Sequence, residues 1–385
     1  MIFTSVLCIL IILLANWIGR NFKVGVPLLI FGQEDTDTIV VYEPRFDQIF
    51  PIFENVNLAN SNNDFFWSSD RRRMLKVTLD TQSEEDSAFI FQVYRDWHDS
   101  PIDIDGRFGS YSTPRWSPDG QSLILPACRQ LNTGCGFWNF YLLQGDMTQF
   151  IEIDYPEIAS LPRDWQWYNN DTLIVWQDRA IFLLDLASGA VETVVEGVPP
   201  QPRNIRWTDN FSRLSYQDGH NRFYCLYVLF LAEGDPREVT CEGINPNSPY
   251  GWLADGRTVY YIQGDDDALR LYDSVEDGSR GISDAPYLLD WTQDGLYPIP
   301  QTPYLLHHAT FGRSSWQIID THNGEISQLA FTSRSTSRGD IVVPSPAGDS
   351  IVIVQENNGL LQVISLEVLE PQFIDQVICC LVLWD

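Results

Sequence analysis

Short apolar runs rich in Val, Ile, Tyr and Phe alternate with polar turns along most of the chain. The alternation is clearest over residues 172–177, 180–186 and 190–196, where three such runs follow one another with short turns between them. A period of two residues is typical of strands that have one buried face. The pattern therefore predicts an all-β chain of successive antiparallel strands.

A tight-turn motif recurs between these strands. Its fullest copy is Trp-Ser-Pro-Asp-Gly at residues 116–120. Pro118 fixes φ, Asp119 accepts hydrogen bonds from the following backbone, and Gly120 tolerates the positive φ that closes such a turn. Shorter copies of the motif follow other anchor residues, and the full set of anchors is Trp67, Trp116, Trp167, Trp207, Trp252, Trp291 and Pro344.

The spacing of these anchors is 39 to 53 residues. Self-similarity at this period is typical of propeller blades, each of which is a four-stranded antiparallel sheet. The motif resembles the repeat of TolB-like propellers, and related blades form the propeller domain of prolyl oligopeptidase-type peptidases. The resemblance covers residues 38–385 and implies a β-propeller, but no hydrolase domain follows the repeats.

The two ends of the chain predict how the ring closes. Residues 38–55 have the pattern of two outer strands without an inner strand, and residues 377–384 have the pattern of an inner strand without outer strands. Joining them in one sheet would leave no unpaired edge at the closure. Seven complete repeats and this split blade favour eight blades, and seven blades are the alternative.

Residues 2–18 are almost continuously apolar. Their length fits a signal peptide or a membrane anchor, so the chain divides into residues 1–30 as that segment and 31–385 as one propeller domain. Arg20 and Lys23 follow the apolar run, which by the positive-inside rule would keep the remainder cytoplasmic. An atypical export signal, a different start, a reversed orientation and a buried helix are the interpretations left open.

Two pairs of cysteines are candidates for disulfides. Cys225 and Cys241 flank a Glu-Gly-Asp-Pro turn, and Cys128 and Cys135 flank a polar loop. Disulfides imply an oxidising compartment, so we expect a secreted, periplasmic or membrane-anchored protein. Buried free thiols are the alternative. No Cys-x-x-Cys or nearby histidine completes a metal site, and no cofactor is expected.

The charge of the chain limits its partners. The formal net charge is −28 at 385 residues, which repels nucleic acid and anionic lipid surfaces. The sequence contains no Gly-x-Ser-x-Gly elbow and no His-x-x-x-His pair, so we expect a chain without enzymatic activity. A monomer is expected.

The connections that lead into the inner strands supply the candidate binding residues. Such connections gather at one mouth of a propeller's channel, where arginines can bind an anionic group or a partner peptide. Ordinary ion pairing of these arginines with local acids is the alternative. The candidates are Arg107, Arg163, Asp164, Arg203, Tyr250 and Tyr287.

These observations favour an exported, non-catalytic propeller that binds a protein, a peptide or a glycan through one face or the channel mouth. Two alternatives remain. One is a propeller-type hydrolase or lyase with an active site at the channel mouth. The other is a scaffold for assembly of the cell envelope, as the resemblance to TolB implies.

Overall fold

The structure is a computed structural model that describes residues 29–384 apart from 34–36, 44–47, 55, 59–62, 81–87, 98, 129–137, 146, 154–161, 221–222, 245–247, 264–267, 283–295, 310–314, 330–340, 346, 355–359, 367–370 and 378. Most of the predicted N-terminal segment lies outside the described residues. Within them, the secondary structure consists of β-strands without an α-helix, as predicted. In the described part of the chain, no helix has the length and apolar character needed to cross a membrane.

The described strands form eight antiparallel sheets. Most sheets contain four consecutive strands in chain order, so the first strand of each is the inner one and the last is the outer one. The strands of the first half are β1 Leu29–Gln33, β2 Thr38–Glu43, β3 Gln48–Phe53, β4 Asn63–Trp67, β5 Met74–Asp80, β6 Ala88–Tyr94, β7 Ile102–Phe108, β8 Ser110–Tyr111, β9 Arg115–Trp116, β10 Leu123–Cys128, β11 Asn139–Leu143, β12 Ile151–Ile153, β13 Asp164–Trp167, β14 Thr172–Gln177, β15 Ala180–Asp185 and β16 Val191–Glu196.

The second half continues the same arrangement. Its strands are β17 Arg203–Trp207, β18 Arg213–His220, β19 Phe223–Phe230, β20 Pro236–Thr240, β21 Tyr250–Trp252, β22 Thr258–Gln263, β23 Ala268–Asp273, β24 Gly278–Gly281, β25 Leu296–Pro298, β26 Tyr304–Ala309, β27 Ser315–Asp320, β28 Ile326–Gln328, β29 Ile341–Pro344, β30 Ser350–Val354, β31 Leu360–Ser365, β32 Pro371–Val377 and β33 Cys379–Trp384.

The closing sheet joins the two ends of the described chain. Its strand order is β3-β2-β1-β33, and β1 pairs with β33 antiparallel, with Leu29 opposite Trp384. The sequence predicted this shared sheet but not β1, whose residues Leu29 and Ile30 were assigned to the apolar N-terminal segment. Ile30 is fully buried, so its apolar character serves the propeller core.

One further strand was missed in the sequence. The polar composition of residues 100–111 is typical of a long connection, but most of these residues form β7, the outer strand of the sheet β4-β5-β6-β7. The alternation of Ile102 and Ile104 with aspartates gives this segment a polar composition. Ile104 and Phe108 are nevertheless buried, which is why the segment is stable as a strand.

Apolar layers between neighbouring sheets form the core. In one layer, Leu75 and Phe91 from the sheet β4–β7 pack with Leu123 and Tyr141 from the following sheet. In another, the side chains of the closing sheet, including Ile30, pack with those of the sheet β4–β7. Burial of apolar area between sheets stabilises the fold roughly in proportion to the area removed from water. Each sheet therefore depends on its neighbours for stability.

Anchor tryptophans form hydrogen bonds between successive inner strands. The indole Nε1 of Trp116 donates to the carbonyl of Phe66 at 2.9 Å, and that of Trp167 donates to the carbonyl of Arg115 at 2.8 Å. Trp252 repeats this contact with the carbonyl of Arg206 at 3.0 Å. All three tryptophans are buried. The recurring tryptophan therefore packs one sheet against the preceding one and satisfies a main-chain carbonyl there.

Trp207 follows the same pattern with a different acceptor. Its Nε1 donates at 2.7 Å to a carboxylate oxygen of Asp164, the first residue of the preceding inner strand. The other carboxylate oxygen of Asp164 lies 3.3 Å from the Arg115 guanidinium, one sheet further back. Asp164 therefore links three successive sheets through side chains alone.

We predict that Trp116→Ala lowers the free energy of unfolding by about 3 to 5 kcal/mol, because the variant loses a large buried ring. Trp116→Phe retains most of the ring but loses the indole donor, and we expect a smaller loss of about 1 kcal/mol beyond the change in packing. Denaturant unfolding measures both values. Two variants as stable as the parent protein would contradict the structural role of this tryptophan.

We predict that Asp164→Ala lowers the free energy of unfolding by about 1 to 3 kcal/mol, since both charge-assisted contacts of the carboxylate are lost. Asp164→Asn keeps an acceptor for the Trp207 indole and is expected to lie between the parent and the alanine variant. Thermal unfolding in low salt checks this order. An asparagine variant less stable than the alanine variant would contradict the proposed links.

Candidate functional site

The inner strands β17, β21 and β25 line a cavity of about 1020 Å³. Its wall is formed by main chain and side chains of these three strands and by the turns that follow them, and Pro344 of β29 completes it. Since inner strands of a propeller surround a central channel, the cavity lies on the channel wall. We call it the channel cavity. It is the candidate site of this protein.

Among the described residues that line the channel cavity, Arg206 is the one with a positively charged side chain. Its side chain is exposed, and no described residue forms a hydrogen bond or an ion pair with its guanidinium. The carbonyl of Arg206 accepts the hydrogen bond from Trp252, so the main chain of this residue is fixed while its side chain is available. The cavity therefore presents one unneutralised positive charge on a rigid strand.

Two carboxylates line the end of the cavity where the turns lie, namely Asp209 and Asp255. The carboxylate of Asp255 accepts hydrogen bonds from the amides of Arg257 and Thr258 at 2.8 Å each, so it stabilises the turn to which it belongs. Asp209 is exposed, and within the described residues its carboxylate has no partner. The cavity is thus acidic at the turn end and basic at Arg206.

Two buried tyrosines from the sheet β21–β24 complete the wall. The hydroxyl of Tyr250 donates to the carbonyl of Asn204 on β17. The hydroxyl of Tyr260 lies over Gly251, where an added Cβ atom would be only 2.7 Å away from it. A side chain at position 251 would displace this ring, which is a physical reason for glycine there.

Burial determines the protonation of both hydroxyls. It raises the pKa of Tyr260 to about 12, although the nearby Arg206 guanidinium acts to lower it. Burial also raises the pKa of Tyr250 well above its usual value, against the same opposing effect of Arg206. Both hydroxyls are therefore neutral at physiological pH, and the positive charge of Arg206 is not offset by a phenolate.

The structure brings few of the sequence-predicted site residues together. Tyr250 lines the channel cavity, although its hydroxyl donates a hydrogen bond to the main chain of β17. Arg203 begins the same strand as Arg206, and its guanidinium lies over the Tyr224 ring at 5.4 Å from the ring centroid. The carboxylate of Asp164 pairs with the Arg115 guanidinium and accepts a hydrogen bond from the Trp207 indole.

Three further candidates lie elsewhere. Arg163 donates from Nε to the carbonyl of Pro200 at 3.2 Å, which is a contact of ordinary loop structure. Arg107 lies on the outer strand β7 rather than in a connection that leads into an inner strand, and it pairs with Asp80 at 2.9 Å. Tyr287 lies outside the described residues. Of the five candidates within the described residues, Tyr250 lines the channel cavity.

Arg206 is not among the sequence candidates, because those residues come from the connections that precede the inner strands, whereas Arg206 lies within β17. A signal was present, since Arg206 directly precedes the anchor Trp207 and so falls inside a predicted inner strand. Inner strands surround the channel, so a charged residue within one lies near it. Position alone does not identify the site, because Arg115 precedes Trp116 in the same way but pairs with Asp164.

The disulfide predicted between Cys225 and Cys241 is present, with a Cα–Cα distance of 4.0 Å. Cys128 is disulfide-bonded as well, whereas Cys135, its predicted partner, lies outside the described residues. Glu238 lies close to Cys225 and Cys241, and among the described residues these three have the spacing of metal ligands. The bonded sulfurs are not thiolates, so they are unsuited to binding a metal in this state.

Comparisons with known proteins identify the fold. No protein-family model and no curated protein matches the chain. The solved structure of dihydro-heme d1 dehydrogenase NirN, in complex with DHE, is similar at 14% identity and a TM-score of 0.60, over 94% of this chain and 75% of that one. Dipeptidyl peptidase 4 from Porphyromonas gingivalis is similar at 12% identity and a TM-score of 0.58, over 90% of this chain and 59% of that one. TolB from Acinetobacter baumannii matches at 13% identity and a TM-score of 0.38, over 96% and 84%.

The expectation that this chain has no enzymatic activity is wrong as an inference from its fold and its missing motifs. A dehydrogenase and a peptidase have similar folds, so the propeller does not exclude catalysis. At these identities the likeness shows the fold and not the activity. The repeats, the antiparallel sheets and the structural comparisons together establish that the chain is a β-propeller.

Proposed function

We propose that the protein binds a protein or peptide partner in the channel cavity, where Arg206 holds a carboxylate of the partner. The observation that carries this proposal is the unpaired guanidinium of Arg206 in a chain with a net charge of −28. Several other arginines of the described chain pair with local acids, as in the pairs Arg257–Asp273 at 2.6 Å and Arg237–Glu233 at 2.7 Å. Arg206 is available instead to a ligand.

The chemistry of the cavity supports a carboxylate ligand. A guanidinium can donate two parallel hydrogen bonds to a carboxylate, which provides both charge and orientation. The neighbouring Tyr260 hydroxyl is neutral and therefore does not repel an anion. Leu296, Tyr297 and Pro298 of β25 offer apolar surface on the other side of the cavity.

The size of the cavity favours a peptide over a small metabolite. Pockets for small molecules have volumes of about 300 to 1,000 Å³, and the channel cavity, at about 1020 Å³, lies just above that range. The acidic charge of the chain disfavours polyanions, whereas a peptide can present one carboxylate beside neutral groups. A peptide segment thus fits both the volume and the single cation.

We further propose that this binding takes place outside the cytoplasm. The Cys225–Cys241 disulfide supports this location, since disulfides persist in oxidising compartments and are rare in the cytosol.

Two acetylated and amidated hexapeptide libraries test the proposal, one with Glu and one with Gln at a fixed central position. We predict that immobilised protein retains members of the Glu library about tenfold more strongly, since hydrogen bonds between charged groups contribute about 1.5 to 3 kcal/mol. Arg206→Gln should abolish this preference. Mass spectrometry of the eluted peptides reports any cleavage in the same experiment.

Arg179→Gln is the matched control, because Arg179 is an exposed arginine outside the channel cavity and the charge change is the same. It should leave the preference for the Glu library intact. Equal retention of the two libraries by the parent protein would overturn the proposal. So would a preference that survives in Arg206→Gln.

A further inference from the structure

Phe211 occupies a backbone conformation that suits glycine. Its φ is +53°, in the left-handed region, and its amide donates to the carbonyl of Thr208 at 2.9 Å to close the turn after Trp207. In the turn after Trp116, Gly120 holds the corresponding position with a φ of +67° and the same hydrogen bond to Ser117 at 2.8 Å. Gly256 occupies the same place after Trp252, with a φ of +59°.

A bulky residue is disfavoured at positive φ because its Cβ approaches the following carbonyl. Glycine closes the equivalent turns after Trp116 and Trp252, whereas Arg71 holds this place after Trp67 with a φ of +56°. Residues held in such conformations concentrate at sites of binding and catalysis. The ring of Phe211 packs in part against the apolar layer between its sheet and the preceding one, and its exposed part points to a function at the surface.

The ring of Phe211 belongs to an aromatic surface that spans two sheets. Its centroid lies 5.8 Å from that of Tyr168, in the turn after the preceding inner strand, and 6.0 Å from that of Trp207. Tyr168 is 44% exposed, and Phe211 and Trp207 are partly exposed. We call Tyr168 and Phe211 the aromatic platform. It presents ring surface to solvent on the face of the propeller where the turns lie.

Two carboxylates belong to the same turns as the aromatic platform. Asp171 follows Tyr168 by three residues, and Asp209 precedes Phe211 by two. Both are exposed, and among the described residues neither carboxylate has a hydrogen-bond or ion-pair partner. Aromatic rings beside free carboxylates match a guanidinium group, which stacks on ring faces and pairs with carboxylates.

We propose that the aromatic platform binds an arginine side chain of a partner protein, with Asp209 or Asp171 as its counter-ion. The net charge of −28 attracts such a basic partner to the surface. Asp209 also lines the channel cavity, so this contact adjoins the Arg206 site but has the opposite charge. The aromatic platform and Arg206 bind separate groups of opposite charge. A partner that carries a basic group next to an acidic group can occupy both.

A blocked peptide, acetyl-Gly-Arg-Gly-Arg-Gly-amide, tests the proposal against its citrulline analogue, which keeps the shape of arginine without the charge. By isothermal titration, the arginine peptide should bind and the citrulline peptide should bind at least about fivefold more weakly. Phe211→Gly should weaken binding of the arginine peptide by at least about fivefold. The melting temperature of this variant is measured as well, because loss of the ring also removes packing against the apolar layer between the two sheets, and binding is compared where the variant is fully folded.

Tyr168→Ala provides a second variant at an exposed position and should lose binding without loss of the fold. Val275→Ala, at a side chain 52% exposed in a different turn, should change nothing. Arg206→Gln should leave arginine-peptide binding intact, which separates this proposal from the carboxylate site. Equal binding of the citrulline peptide would overturn it. Unchanged binding by Phe211→Gly, or retention of a neutral oligosaccharide in place of the arginine peptide, would also overturn it.

Discussion

The indole nitrogens of Trp116, Trp167 and Trp252 each donate to a main-chain carbonyl of the preceding inner strand. A buried carbonyl without a partner is costly, so each contact satisfies a group that the inner edge of a sheet would otherwise leave unpaired. The same rings fill the apolar layers between sheets. Tryptophan at the end of an inner strand thus fixes the distance and the orientation of that strand relative to the preceding one. The positions of the sheets around the ring depend on these contacts.

The candidate site depends on this arrangement. The carbonyl of Arg206 accepts the Trp252 indole, and the hydroxyl of Tyr250 binds the carbonyl of Asn204, so β17 and β21 are joined at two points. These contacts fix the backbone of Arg206 while its guanidinium remains available in the channel cavity. In the turn after Trp207, Phe211 takes the place that glycine has after Trp116 and Trp252. Both proposed contacts therefore lie within one repeat, on β17 and in the turn that follows it.

The repeat made the fold predictable from the sequence. Strands β14, β15 and β16 lie within one residue of the predicted bounds, because each is a short alternating run bounded by turn residues. Strand β1 was missed because an apolar run continues into it, and β7 was missed because its aspartates resemble a loop. The site was predicted less well, since whether an arginine is paired depends on contacts between sheets. The sequence does not distinguish Arg107 from Arg206, yet of the two only Arg107 forms an ion pair with an acidic residue in the described part of the chain.

The closing sheet offers the most direct test of a ring of mutually dependent sheets. In it, β33 pairs with β1 and supplies the inner strand between β29 and the sheet that begins with β4. Thermal unfolding of the full chain can be compared with that of a chain from which residues 378–385 have been removed. We expect the truncated chain to lose the single cooperative transition, because removal of one inner strand opens the ring. A truncated chain with the same transition and the same melting temperature as the full chain would contradict it.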